Sequence, residues 1–190
     1  MNQTGTPQEH STVAGYLGGV IAARSGRVGP RIDGFFERHA SKRNLLILLA
    51  LACSIALIVF FVRPVYPNYD SYYTLLWALD ITNGKMPNYD VVRPPTPHPL
   101  STLLSIVISG MGTGSARFLV LLTLLSFVGL LGFIFRFTQL LLGPAIALVA
   151  VAVVLTRTDL ELFTMRAMID ISFLAFIFAA AVFEIQDRKS

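Results

Sequence analysis

The chain has 190 residues, of which 54% are hydrophobic and 14% charged, and its mean hydropathy is +0.66. These values exceed those of soluble domains of similar length, so water cannot be its only solvent. The excess of Lys and Arg lies mostly in the first 43 residues, which is typical of a membrane-orientation signal and argues against a nucleic-acid partner. The single cysteine, Cys53, lies in an apolar run and excludes a disulfide framework or a thiolate metal site.

The first 43 residues are rich in Gly, Ser, Thr and Arg, and their apolar stretches are too short to bury a core. We predict that residues 1–43 are a disordered, basic cytoplasmic tail. A weak helix lying on anionic lipid is the alternative, although several glycines argue against a long one.

An uninterrupted run of apolar and small residues follows from Leu45 to Val62. It approaches the roughly 20 residues that cross a bilayer, so residues 44–62 are predicted to be the first transmembrane helix. Six basic residues precede this helix and predict a cytoplasmic N terminus: Arg24, Arg27, Arg31, Arg38, Lys42 and Arg43.

Residues 63–115 are predicted to form one long extracytoplasmic loop. It contains two expected juxtamembrane helices, at about 70–84 and 99–110. The apolar part of the second covers less than half of a hydrocarbon layer of about 30 Å, so we predict an interfacial or re-entrant helix there.

Three further transmembrane helices are predicted at about 117–136, 139–156 and 167–186. A five-span model divides the basic residues between the two sides equally well. Length favours four spans, and four spans also return Arg188 and Lys189 to the cytoplasm. The predicted fold class is therefore an all-α polytopic membrane protein with about four transmembrane helices, integral to the cell's inner membrane.

The first outer loop offers an acidic residue at the predicted start of a helix. Asp70 is placed to cap free backbone N–H groups, and at the mouth of a membrane cavity it would also suit a general base. Tyr73 and Trp77 suit the headgroup level of a helix along the membrane surface. Helix capping alone is the simpler interpretation of Asp70, and the two roles are compatible.

The second half of this loop carries four prolines in six positions, from Pro94 to Pro99. They predict an extended, preorganised backbone that loses little entropy when a ligand binds. Arg93 and His98 lie in or beside this stretch and are candidate phosphate ligands, although an exposed loop histidine is the alternative.

The turn before the last span faces the same side of the membrane. Arg166 and Asp170 are four residues apart, which would place them on one face of a helix, either as a structural ion pair or beside a cavity. The sequence shows no metal-ligand spacing and no phosphate-binding glycine loop.

The order of these features resembles the amino-terminal module of the C superfamily of membrane glycosyltransferases. It is most similar to the branch of protein O-mannosyltransferases and lipid A aminoarabinose transferases. The similarity covers about residues 45–186 and depends on a first span, then Asp70-Ser-Tyr-Tyr, then Pro97-His98-Pro99-Leu100 opening a short helix, then Arg166-x-x-x-Asp170.

The resemblance implies that Asp70 is the catalytic base and that His98, Arg93, Arg166, Asp170 and Tyr73 contact substrate. Two features depart from the family: Ser71 stands where many relatives have an acidic residue, and the relatives have many more spans.

The function expected from these features is that of an amino-terminal part, or a truncated relative, of an inverting glycosyltransferase. It would use a polyprenyl-phosphate sugar, no cofactor, and a glycan, lipid or protein acceptor at the outer membrane face. A divalent metal and further membrane subunits are compatible with this function. The alternative is a non-catalytic four-span scaffold or assembly subunit. A transporter is disfavoured because no span carries a mid-membrane charge.

Overall fold

The computed structural model describes residues 42–90 and 95–188, and these residues form helices and no strands. Residues 1–41 of the predicted tail and Arg93 lie outside the described residues, whereas Lys42 and Arg43 begin the first helix. The α-helices in the described ranges are α1 (Lys42–Val62), α2 (Tyr69–Thr82), α3 (Pro99–Ser109), α4 (Ser115–Leu142), α5 (Pro144–Leu155), α6 (Thr158–Met165) and α7 (Ile169–Asp187). A single 3₁₀ turn at Gly112–Gly114 leads into α4.

Within the described residues, two helices are long and apolar enough to cross a membrane. They are Gly112–Leu142, which includes α4, and Ile169–Asp187, which is α7. The described apolar part of α1, Leu46–Val62, and helices α3 and α5 are shorter.

The helix predicted at 139–156 does not begin where the sequence suggested. α4 continues to Leu142, and the chain breaks at Gly143, whose φ of 93° lies in a region that favours glycine. Pro144 then occupies the first turn of α5, where its missing N–H is not needed. The 12 residues of α5 extend for about 18 Å, little more than half of a hydrocarbon layer.

Helix α4 is the centre of the packing. Its first half joins α1, α2 and α3 in an apolar cluster that includes Phe60, Leu75, Ile108 and Val120. Its second half packs on α5 and α7, where Leu130 is buried against Ala175 and its neighbours. A hydrogen bond from the Ser172 hydroxyl to the Ser126 hydroxyl, 3.0 Å long, also links α7 to α4.

Helix α3 has an inverted amphipathic pattern. Ser101, Ser105 and Ser109 are buried, whereas Leu103 and Val107 are 60% and 77% exposed. A helix on a protein surrounded by water normally buries its apolar face, so this arrangement suits an apolar exterior.

Candidate functional site

A small polar cavity lies between α2, α3 and the first turn of α7. It is lined by Asn68, Asp70, Ser71, Thr74, His98, Ser101, Met168, Ile169 and Asp170. Three of the residues selected from the sequence, Asp70, His98 and Asp170, therefore meet at one place. The cavity volume of about 20 Å³ is enough for one water molecule.

Asp70 is not the cap of α2, which corrects the sequence interpretation. The cap is Asn68, whose side-chain Oδ1 accepts a hydrogen bond of 2.9 Å from the Ser71 N–H. Asp70 is the second residue of the helix, and its carboxylate accepts no hydrogen bond from the described residues. Asn68 therefore performs the capping role, which leaves the Asp70 carboxylate oxygens available to a ligand.

His98 is the residue before α3 and is half-buried. Its backbone carbonyl accepts hydrogen bonds from the Thr102 N–H at 2.9 Å and the Thr102 hydroxyl at 3.2 Å, which fixes the start of the helix. The imidazole makes no hydrogen bond within the described part of the chain. Its ring lines the cavity with both of its nitrogens unoccupied by described partners.

The predicted helical pairing of Arg166 with Asp170 is wrong. α6 ends at Met165 and α7 begins at Ile169, so the two residues do not share a helix. Among the described residues the recorded ion pair is Arg188 with Glu184, and Arg166 instead places its guanidinium 5.6 Å from the centre of the Tyr66 ring. Asp170 lines the cavity and Arg166 does not.

The turn between α6 and α7, residues 166–168, is the reason for this separation. Ala167 has a φ of 55°, a left-handed conformation that alanine rarely adopts. Two hydrogen bonds from the start of α2 hold the turn: the Asn68 N–H donates to the Arg166 carbonyl at 2.7 Å, and the Ser71 hydroxyl donates to the Ala167 carbonyl at 2.6 Å. These contacts bring together two segments that the sequence analysis predicted to be outer loops.

Ser101 is a cavity residue that the sequence interpretation missed. Its side chain is 5% exposed, and its hydroxyl has no hydrogen-bond partner in the described ranges. Ser101 lines the cavity, so a water or a ligand hydroxyl there would supply the missing hydrogen bond. The detectable signal was the repetition of serine every fourth residue, at 101, 105 and 109, along an otherwise apolar helix.

Tyr73 and Trp77 belong to a row of aromatic rings beside the cavity. Tyr73 stacks between Tyr69 and Trp77, and Trp77 also contacts Tyr89. Trp77 does not expose its ring to lipid headgroups, because its side chain is only 2% exposed and its indole N–H donates to the Asn88 carbonyl at 3.1 Å. Tyr73 does not line the cavity.

A second, larger cavity lies on the apolar side of the molecule, and we call it the apolar cleft. Its volume is about 350 Å³, and its walls come from α1, α4, α6 and the end of α5. The lining residues are Ala52, Ile55, Ala56, Val59, Leu124, Phe127, Val128, Leu131, Leu155, Glu161, Thr164 and Met165. Thr164 and Met165 precede the 166–168 turn, and the polar cavity begins at Met168, so the turn separates the two spaces.

Within the described residues, no group of three or more His, Cys, Asp or Glu side chains is arranged to hold a metal ion. Comparison with protein-family models, curated proteins and solved structures gave no significant match.

Proposed function

We propose that the polar cavity is the centre of an inverting glycosyl transfer from a polyprenyl-phosphate sugar to a hydroxyl acceptor. The observation that carries this proposal is the meeting of Asp70, His98 and Asp170, from three separate segments, in one cavity. Asp70 takes the proton of the acceptor hydroxyl while that oxygen attacks the anomeric carbon. The bond from the anomeric carbon to the phosphate oxygen breaks, and the polyprenyl phosphate leaves.

The charge of the cavity supports this division of roles. Asp70 and Asp170 line it, and no described Lys or Arg does. Two carboxylates favour the positive charge that develops on the sugar ring in an oxocarbenium-like transition state. They would repel the donor phosphate, so we place the phosphate at the rim, beside Arg166.

The apolar cleft supports a lipid-linked donor. Arg166 lies between Met165, which lines the cleft, and Met168, which lines the cavity. A prenyl chain in the cleft, a phosphate at Arg166 and a sugar in the cavity would form one continuous path. The cavity has room for about one water, so this path requires the cavity to widen when the donor binds.

The proposal includes four membrane crossings with a cytoplasmic N terminus, by α1, α4, α5 and α7. α4 and α7 have the required length. α5, at about 18 Å, is shorter than the hydrocarbon layer, so this topology requires the bilayer to thin around it. Under this topology the polar cavity faces the extracytoplasmic side, because α2, α3 and the 166–168 turn all follow a crossing in the outward direction.

A non-catalytic scaffold is the second candidate, and the small volume of the polar cavity favours it. The full chain reconstituted in vesicles distinguishes the two. Polyprenyl-phosphate mannose and polyprenyl-phosphate aminoarabinose serve as donors, with a serine-containing peptide and a lipid A precursor as acceptors. Transfer above the level of empty vesicles supports the enzyme, whereas a folded chain that neither transfers sugar nor binds either donor supports the scaffold.

Asp70→Asn is the decisive variant in this assay. We expect it to lower transfer by about 10²–10⁴-fold, which is the usual contribution of a general base, while the melting temperature stays the same. Asp80→Asn is the matched control, because Asp80 lies on the same helix and does not line the cavity. Wild-type turnover in Asp70→Asn would remove Asp70 from the role of base.

A further inference from the structure

The contact between Ser71 and Ala167 joins two segments that are 96 residues apart in sequence. Both residues are buried, with 6% and 2% of their surfaces exposed, and the hydrogen bond from the hydroxyl to the carbonyl is 2.6 Å long. This length is normal for a hydroxyl bonded to a carbonyl, and the loss of one partner of a buried hydrogen bond leaves the other unsatisfied at a cost. The hydrogen bond acts on Ala167, which within the described ranges is the non-glycine residue with a positive φ.

Ala167 has no intrinsic reason to adopt a φ of 55°. Such conformations persist where the surroundings impose them, and they concentrate at functional sites. Here the surroundings are the Ser71 hydroxyl on the Ala167 carbonyl, the Asn68 N–H on the Arg166 carbonyl, and the apolar cluster that buries the Ala167 methyl group.

The conformation of Ala167 determines where Asp170 lies. If Ala167 and Met168 were helical, α6 and α7 would join, and Asp170 would be carried round the axis of a single longer helix. The left-handed residue ends α6 and starts α7 in a new direction, with Asp170 in its first turn and beside the polar cavity.

We propose that Ser71 is a positioning residue, whose hydrogen bond to Ala167 sets the 166–168 turn and thereby holds Asp170 opposite Asp70. Ser71 lies next to Asp70 on α2, so the same turn of helix presents the proposed base and fixes the facing carboxylate. The kinetic part of this inference rests on the transfer reaction proposed above. The structural part does not.

The first readout is amide hydrogen exchange on the full chain in vesicles. Ser71→Ala removes the hydrogen bond to the Ala167 carbonyl. Exchange of the Ala167 and Met168 amides should then be about tenfold faster, which is the usual effect of losing one buried hydrogen bond. The double variant Ser71→Ala with Ala167→Gly should recover to within about threefold of wild type, because glycine reaches a positive φ without a Cβ clash, although one buried methyl group is lost.

The second readout is the transfer assay. Ser71→Ala should lower kcat about tenfold while the KM for donor stays within about twofold, because positioning acts on the reacting geometry and not on donor binding. The double variant should recover most of kcat. If Ser71 had a purely structural role, Ser71→Ala would lower stability, but kcat would not fall selectively relative to KM and the double variant would not restore kcat.

Ser172→Ala is the matched control, since it also removes a buried serine hydroxyl bonded to another segment, here Ser126. It should leave exchange at the turn and kcat unchanged. Equal effects in Ser172→Ala would overturn a specific role for Ser71. If Ser71→Ala did not fold, Ser71→Cys would supply the same comparison with nearly the same volume.

The remaining outcomes are also decisive. If the Ala167 and Met168 amides of Ser71→Ala exchanged at the wild-type rate, the hydrogen bond from Ser71 would not be what holds the turn. Faster exchange with unchanged kcat would overturn the positioning role. If wild type folds but transfers no sugar, the proposed function fails and takes the kinetic role with it, whereas the exchange result still decides whether Ser71 holds the turn.

Discussion

The polar cavity and the apolar cleft differ in what each provides. The cavity gathers two carboxylates, an imidazole and an unpaired hydroxyl in about 20 Å³, whereas the cleft offers about 350 Å³ with almost entirely apolar walls. The cavity concentrates polar groups in a small volume, whereas the cleft is large and has Glu161 and Thr164 as its polar side chains. The short turn at 166–168 lies between them, so a substrate that uses both must be long, apolar at one end and polar at the other.

Of the remaining tests, a substitution in the polar cavity is expected to have the largest effect on transfer. Asp170→Asn keeps the shape of the side chain and removes its charge. We expect transfer to fall about 10²-fold, since this is the usual loss when one preorganised electrostatic group is removed from a transition state. The assay is initial turnover with saturating donor.

Asp187→Asn is the control, because Asp187 is an exposed carboxylate at the other end of the same helix. If both variants lost the same turnover, the total charge on α7 would affect transfer, and the position of Asp170 in the cavity would not.

A smaller effect is expected from narrowing the apolar cleft. Ala52→Leu adds three carbons at a half-buried position in its wall. If it displaces two methylene groups of a prenyl chain, at about 0.8 kcal/mol each, the KM for donor should rise about tenfold or slightly more. The same variant should leave the KM for a short-chain donor unchanged.

Ala152→Leu on the exposed side of α5 is the matched control, because Ala152 does not line the cleft. An equal rise in KM for short and long donors in Ala52→Leu would exclude the cleft as the site of the chain.

The smallest effect is expected from Tyr73→Phe. The Tyr73 ring lies outside the cavity, and its ring contacts with Tyr69 and Trp77 survive the loss of the hydroxyl. Turnover should change by less than about twofold, because no described hydrogen bond of the hydroxyl is lost. A loss of tenfold or more would extend the site to the aromatic row and restore Tyr73 as a substrate contact.

The sequence predicted the helical class and the residues that meet in the cavity better than it predicted local geometry. Asp70, His98 and Asp170 were selected because they lie in two segments between predicted spans that face the same predicted side. Hydropathy shows the order of spans and loops, and this order gives the sidedness. Which asparagine or aspartate caps a helix is not visible in this way. Asn68 and Asp70 are both good caps, and the backbone angles decide between them.

The turn at Ala167 could not be predicted for a different physical reason. Alanine favours helix, so Arg166 to Asp170 has the local preferences of a continuous helix. The conformation comes instead from Ser71, which is remote in sequence, and tertiary contacts of this kind override local propensity. Ser101 was missed because a hydroxyl in an apolar run gives no sign of whether its partner is backbone, water or ligand.

The outward apolar stripe of α3 has a practical consequence for handling the molecule. Leu103 and Val107 lie on α3, a helix too short to cross a hydrocarbon layer by itself. A narrow ring of detergent around the two long helices would leave this stripe in contact with solvent, where oily surfaces adhere to one another. Amphiphiles with a broad, planar nonpolar region, such as the lipid disc held by a scaffold belt, match the outline of the molecule better than a small round micelle.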